Sequence, residues 1–137
     1  SVMHVPSGLF ADFAAVRREV DHPDYDEFWF WAAKAGIQQK WVALGKTTLF
    51  GEYGQVENSA PGGFDTGQGG GLYNSVDGTT YGLGIMQNID AAAMELYLGW
   101  RHFEADISRF AAGAAGASVG VPTQDIDTVY TGARISF

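Results

Sequence analysis

The chain has 137 residues, of which 46% are apolar and 18% charged, with 19 glycines, six Tyr, four Trp, nine Phe and no cysteine. That apolar content excludes an intrinsically disordered chain, and the lack of cysteine excludes a disulfide framework or a thiolate metal site. The net charge of −8, from 16 acidic and 8 basic residues, argues against a nucleic-acid-binding surface.

Period-two alternation of apolar and polar residues predicts six strands. The first covers about His4 to Glu19, with Leu9, Ala11, Phe13 and Ala15 on one face. Ala14-Ala15-Val16-Arg17-Arg18-Glu19 could alternatively extend a short helix. Asp21 to Glu27 reads as a loop, because its Pro and Asp residues end strand pairing. The second strand runs from about Phe28 to Trp41, with Trp29, Trp31, Ala33, Ala35 and Ile37 sharing a face opposite Lys34, Gln38 and Lys40.

After a short link at Val42 to Gly45, the third strand spans about Lys46 to Val56. Thr47, Leu49, Gly51 and Tyr53 lie opposite Lys46, Thr48 and Glu52, with Phe50 an aromatic exception on the polar side. Asn58 to Thr79 is a long Gly-rich loop, the fourth strand covers about Thr80 to Gln87, and Asn88 to Ala91 is a tight link. In the fifth strand Met94, Leu96, Leu98 and Trp100 alternate with Glu95, Tyr97, Gly99 and Arg101. Ile107 to Asp125 reads as a second long loop with a short helix near Ser108–Ala112, and the sixth strand closes the chain at Phe137.

No run of eighteen apolar residues exists, so no transmembrane helix is expected, which leaves a β-barrel open. Ser1-Val2-Met3-His4 is not a charged start to an apolar core, so no signal peptide is expected. The connections run long, short, long, short, long. Transmembrane barrels sort short turns to the periplasmic side and long loops to the outside. On that reading the apolar faces meet lipid and the polar faces line water. Arg101 and Arg134 then fall inward, where they avoid the roughly 2–4 kcal/mol penalty of a lipid-facing Arg near the midplane.

The segments Ala35 to Trp41, Gly45 to Gly54, Met94 to Arg101 and Tyr130-Thr131-Gly132-Ala133-Arg134-Ile135-Ser136-Phe137 resemble the end of a Gram-negative outer-membrane porin of the alphaproteobacterial type. The resemblance implies an all-β, antiparallel transmembrane β-barrel, with residues 1–137 forming the last six strands of a sixteen-stranded wall and no separate second domain. It implies a bacterial outer-membrane location, a homotrimer, contact with outer-membrane lipid and lipopolysaccharide, and passive diffusion of small hydrophilic solutes and ions through a water-filled channel. It also implies that Phe137 is an assembly signal read by the outer-membrane assembly machinery. The pore constriction of such porins comes from an earlier part of the barrel.

The expected pore-lining residues are Lys34, Gln38, Lys40, Glu52, Glu95, Arg101 and Arg134, whose mixed signs would tune ion preference. The expected membrane belt is Trp29, Trp31, Trp41, Tyr53, Tyr81, Trp100 and Phe137, since such rings suit the headgroup layer. Glu95 and Arg101, six residues apart on one strand, are each expected to pair with a neighbouring strand.

No cofactor, metal or nucleic-acid partner is expected, and the function is expected to be passage rather than an enzyme reaction. His4, His22 and His102 lack ligand spacing. Asp21, Asp24, Asp26 and Glu27 could hold Ca²⁺ but lack the EF-hand order. Gly67 to Gly71 lacks the Gly-Lys-Ser/Thr ending of a phosphate loop. The alternatives are a hydrolase using Ser108, His102 and Asp106 at the outer rim, a structural or adhesive barrel without an open pore, and a soluble antiparallel β protein.

Overall fold

The computed structural model describes residues 1–19, 27–58, 73–110 and 118–136. They form one antiparallel sheet of eight strands: β1 (Val2–His4), β2 (Leu9–Arg18), β3 (Phe28–Val42), β4 (Gly45–Glu57), β5 (Tyr73–Ile89), β6 (Met94–Phe110), β7 (Ser118–Val121) and β8 (Ile126–Ile135). The strands pair in chain order from β1 to β7, and β8 also pairs with β6. β7 lies beside Ile107–Phe110 and β8 beside Met94–Phe103, so the two form successive parts of one ribbon along β6. The sheet is not closed. Among the described residues, β1 has β2 as its sole partner strand and β8 has β6.

The three short turns between antiparallel neighbours lie at one end of the sheet, and a fourth short link, Pro122 to Asp125, carries the chain from β7 to β8 partway along β6. Val5 to Gly8 joins β1 to β2, Ala43-Leu44 joins β3 to β4, and a 3-10 turn at Asp90–Ala92 joins β5 to β6. The strand ends that the three longer connections join, β2 to β3, β4 to β5 and β6 to β7, are at the other. Gly8 shows the local reason for one tight turn. Its φ is +69°, and a Cβ there would run into the Gln38 carbonyl, whose residue donates its own N–H to the Gly8 carbonyl at 2.9 Å.

Four boundaries differ from the sequence reading. The first predicted strand is a hairpin, because the Gly8 turn separates β1 from β2. β5 starts at Tyr73 rather than Thr80, pairing polar residues such as Asp77 and Thr79 across to Asp106 and Glu104. β6 continues to Phe110, so residues 108–110 are strand rather than the predicted helix; 111 and 112 lie outside the described residues. A short β7 stands within the predicted second loop. In the long strands hydrogen-bonded pairing extended the ladder past the point where apolar alternation stops.

No apolar side chain is buried among the described residues. Among the described residues no second layer covers the sheet, and the large apolar groups are open, Val129 by 70% and Leu83 by 63%. A lone sheet with an uncovered apolar face cannot satisfy itself in water, since stable architectures bury that face against another layer. Direct pairing defines the two faces, because cross-strand partners point the same way. One carries Ile37, Leu49, Ile85 and Leu98 in a single row and Ala35, Gly51, Leu83, Trp100 and Val129 in the next. The other carries Lys34, Glu52, Gly82 and Arg101 in register.

The apolar face is the more exposed of the two. Along β4 and β5, Leu49, Tyr53, Tyr81, Leu83 and Ile85 are exposed, whereas Thr48, Gly54 and Gly82 are buried and Phe50, Glu52, Gly84 and Met86 are half-buried. The sheltered side is the polar one.

Candidate functional site

The sheltered face centres on one row across five strands: Asp12 on β2, Lys34 on β3, Glu52 on β4, Gly82 on β5 and Arg101 on β6. Period-two alternation sends each to the same side. Lys34 Nζ lies 3.2 Å from Glu52 Oε2. Arg101 donates from Nε to Glu52 Oε1 at 2.7 Å, and from a terminal amino group to the same oxygen. Gly82 stands between Glu52 and Arg101 and offers no side chain, so the guanidinium crosses a whole strand to reach its carboxylate. Glu52 is the covered member, with its side chain 12% exposed, against 40% for Lys34 and 37% for Arg101.

Aromatic rings frame this row. Lys34 Nζ sits 4.6 Å from the Phe50 ring centre, and the Arg101 guanidinium carbon lies 5.8 Å from that of Phe103 and 5.7 Å from that of Tyr130. The row beside it sets three rings against three glycines, in the order Phe10, Gly36, Phe50, Gly84, Gly99, Tyr130. A side chain at Gly36 would collide with Phe10, at Gly84 with Phe50 and at Gly99 with Tyr130. The rings therefore lie flat over bare backbone, and each covers a glycine that has nothing of its own to pack.

The other expected lining residues are spread along the same face. Gln38 donates to Thr48 Oγ1 at 3.0 Å, and both belong to the polar side. Glu95 and Arg134 are cross-strand partners with a 2.6 Å ion pair near the short-turn end. Lys40 is different. It lies at the register shift before the β3–β4 turn and reaches Asp90 of the neighbouring short turn at 3.4 Å, which puts it at the rim of the sheet rather than on its wall.

The aromatic residues expected in the belt gather on the exposed face. Trp31 and Tyr53 have ring centres 5.2 Å apart, Tyr53 pairs directly with Tyr81, and Tyr81 meets Trp100 at 5.9 Å. Trp29 lies one step beyond Trp31 toward the long connections, with the Arg17 guanidinium over its ring at 5.7 Å. Trp41 is exposed at the opposite, short-turn end of β3. Phe137, named both as a belt residue and as the assembly signal, lies outside the described residues, as do the candidate calcium residues Asp21, Asp24 and Asp26, His22, and Gly67 to Gly71.

Charge divides unevenly between the faces. Among charged residues paired in the ladder with described side chains, the sheltered face has four cations (Arg18, Lys34, Arg101, Arg134) and three carboxylates (Asp12, Glu52, Glu95). The exposed face has one cation, Arg17, and five carboxylates: Glu57, Asp77, Glu104, Asp106 and Asp127. All six of these outward charges stand on the long-connection side of the aromatic line. From that line to the short turns, the paired outward positions carry no charge.

Beyond the aromatic line, His102 is held between Asp127 (Nδ1 to Oδ1, 2.9 Å) and Glu104 (Nε2 to Oε1, 3.4 Å), and the Trp100 indole donates to Asp127 at 3.0 Å. Ser108 is six positions along the same strand from His102, about 20 Å at about 3.4 Å per residue, far outside the hydrogen-bond reach of a nucleophile and its base. At the start of β3, Arg17 grips Glu27 through two hydrogen bonds of 2.7 and 2.6 Å. Those bonds hold the Glu27 carboxyl below the usual carboxylate range.

Asp12 and the Phe10/Phe50/Tyr130 row are the site elements that the sequence reading missed. The signal was present: Asp12 has the even parity of Phe10 and Ala14 on the first strand, and Gly36, Gly84 and Gly99 mark positions where a ring from the next strand can lie. Comparison with protein-family models, with curated proteins and with solved structures finds no match to this chain.

Proposed function

We propose that this chain is part of the wall of an outer-membrane β-barrel porin, with its apolar face against lipid and its charged face lining a water-filled channel that passes small hydrophilic solutes and ions. The observation that carries this reading is the inverted exposure of one unlayered sheet: apolar side chains stand open while the charged row is sheltered. A water-soluble sheet does the reverse, burying its apolar face and solvating its polar one. A membrane barrel needs an apolar outside, a polar inside and every backbone group paired within the sheet.

The aromatic line adds an independent support. Register places Trp31 opposite Gln55, two residues above Tyr53, and Tyr81 opposite His102, two residues above Trp100. From β3 to β6 the line therefore descends four residues, about 14 Å, across three strand spacings of about 4.8 Å each. A belt descending about 43° relative to the strand perpendicular becomes level when the strands tilt by that angle, and transmembrane barrel strands tilt about 35–45°. The uncharged band below it and the carboxylates above it follow the same step.

On this reading the open edges at β1 and β8 are paired by further wall, from more of the chain or from other copies, because an open edge cannot stand in hydrocarbon. The resemblance to porins favours a trimer of larger barrels assembled with the help of Phe137. The test is reconstitution of the purified full-length protein. Heat-modifiable gel migration in detergent and stepwise conductance in planar bilayers are expected. A monodisperse species in detergent-free buffer would overturn the membrane reading. Verified insertion without conductance would leave the wall and favour a structural barrel.

A further inference from the structure

We propose that the row of Lys34, Glu52 and Arg101 is an anion-binding step on the channel wall, so that the pore favours small anions over cations of similar size, against the sign of the chain's net charge. This inference rests on the pore reading above and assigns the class of solute that the same site takes. The chain carries −8 overall, which by itself would favour cations. Among the charged residues paired in the ladder with described side chains, five carboxylates stand on the outward face above the aromatic line, while the sheltered face holds four cations and three carboxylates.

Within the row, exposure decides which sign a solute meets. The Glu52 side chain is 12% exposed, and those of Lys34 and Arg101, which reach its two oxygens from either side, are 40% and 37% exposed. Arg101 spends Nε and one amino group on a single oxygen of Glu52. A guanidinium has five N–H donors in a planar fork, and among the described residues these two bonds use only part of it, which leaves donors for an oxyanion. Lys34 likewise meets one carboxylate oxygen with an ammonium that has three donors. Phe50, Phe103 and Tyr130 hold the two cations by ring faces, which fix them without cancelling their charge. Glu52 is thus a positioning residue: it spreads two cations to either side of itself and stays covered. Asp12, paired across from Lys34, bounds the patch on the β2 side and directs an anion toward Arg101.

The shared ligand chemistry is a small anion, of which chloride is the simplest probe and inorganic phosphate an oxyanion one. The experiment measures reversal potentials of the full-length protein in planar bilayers under a tenfold KCl gradient. The natural protein is expected to pass chloride more readily than potassium, and millimolar phosphate is expected to reduce chloride current. Lys34→Gln with Arg101→Gln should lower the chloride-to-potassium permeability ratio at least threefold, Asp12→Asn should raise it, and Arg101→Lys should keep most of it. A cation-favouring natural channel, or an unchanged ratio in the double variant with conductance intact, would overturn the inference while leaving the pore in place. Inserted natural protein without conductance would remove the pore and the inference together. Should the double variant fail to insert, Lys34→Gln alone carries the test: a smaller drop supports the anion step and no change overturns it.

Discussion

Val129 and Glu52 stand on opposite faces of one sheet, and their accessibility runs against their polarity. The valine has no layer over it, whereas the carboxylate is covered by the cations and rings of its neighbours. The same contrast holds along the middle of β5: Leu83 and Ile85 are open beside Gly82 and Gly84, which are sheltered. In a soluble domain the hydrophobic effect would have drawn a second layer onto Leu83 and left Glu52 in water. The difference teaches that polarity and shelter are uncoupled in this sheet, which is the observation behind the proposed lipid-facing wall.

The sharpest way to break this comparison is to put a charge on the open face. Leu83→Arg should destabilise the lipid-inserted protein by roughly 2–4 kcal/mol in urea unfolding from vesicles, the cost of an Arg at mid-membrane depth. A change within about 0.5 kcal/mol, as expected for an ordinary surface position, would mean that Leu83 meets water. On the sheltered face, Arg101→Ala should cost about 1–3 kcal/mol in the same measurement, because half-covered Glu52 loses its guanidinium partner and keeps only Lys34. Gly82→Leu should cost at least as much with every charge retained, since its Cβ would run into the Trp100 backbone carbonyl and the rest of the side chain would occupy the gap that Arg101 crosses. Equal stability of Gly82→Leu and the natural protein would show that the crossing contributes nothing.

A smaller effect is expected where rings lie on glycines. Tyr130→Ala uncovers Gly99 and should lower stability by about 1 kcal/mol, and Tyr130→Phe should restore most of it; no loss with alanine would reduce the ring row to decoration. The smallest effect lies at the rim. Glu27 has a folded-state value below its ordinary 4.5, so its contribution is fully present above that ordinary value and is lost as pH falls through the depressed one. Protease resistance of the β2–β3 connection should therefore weaken in acid below about pH 4.5, and Glu27→Gln should remove that part of the pH dependence. Identical acid profiles for the two proteins would dissociate the rim contact from folding.

The six longer strands and their facing were legible because period two is visible wherever apolar and polar residues alternate, as in Met94 to Arg101, whereas the short β1 was merged with β2 and β7 was read as loop. Strand lengths were not. Tyr73 to Thr79 and residues 104–110 are polar or mixed, and their strand character comes from pairing with each other, which no local pattern records. The charged residues of the sheltered face could be named from parity alone. Their partners could not: Arg101 and Glu52 are 49 positions apart and two strands away, joined across a glycine whose meaning appears only in register. Lys40 showed the limit of parity, because the shift before the hairpin carried it to the rim.

By itself the sequence determined that this chain makes amphipathic strands joined by alternately short and long links, since alternation and turn residues act over a few positions. The tertiary structure alone decided that those strands make a single unlayered sheet, which rings cover which glycines, and that the covered charge is Glu52 while the presented ones are Lys34 and Arg101. These depend on register between strands, and register is fixed by the summed fit of many distant side chains rather than by any short stretch.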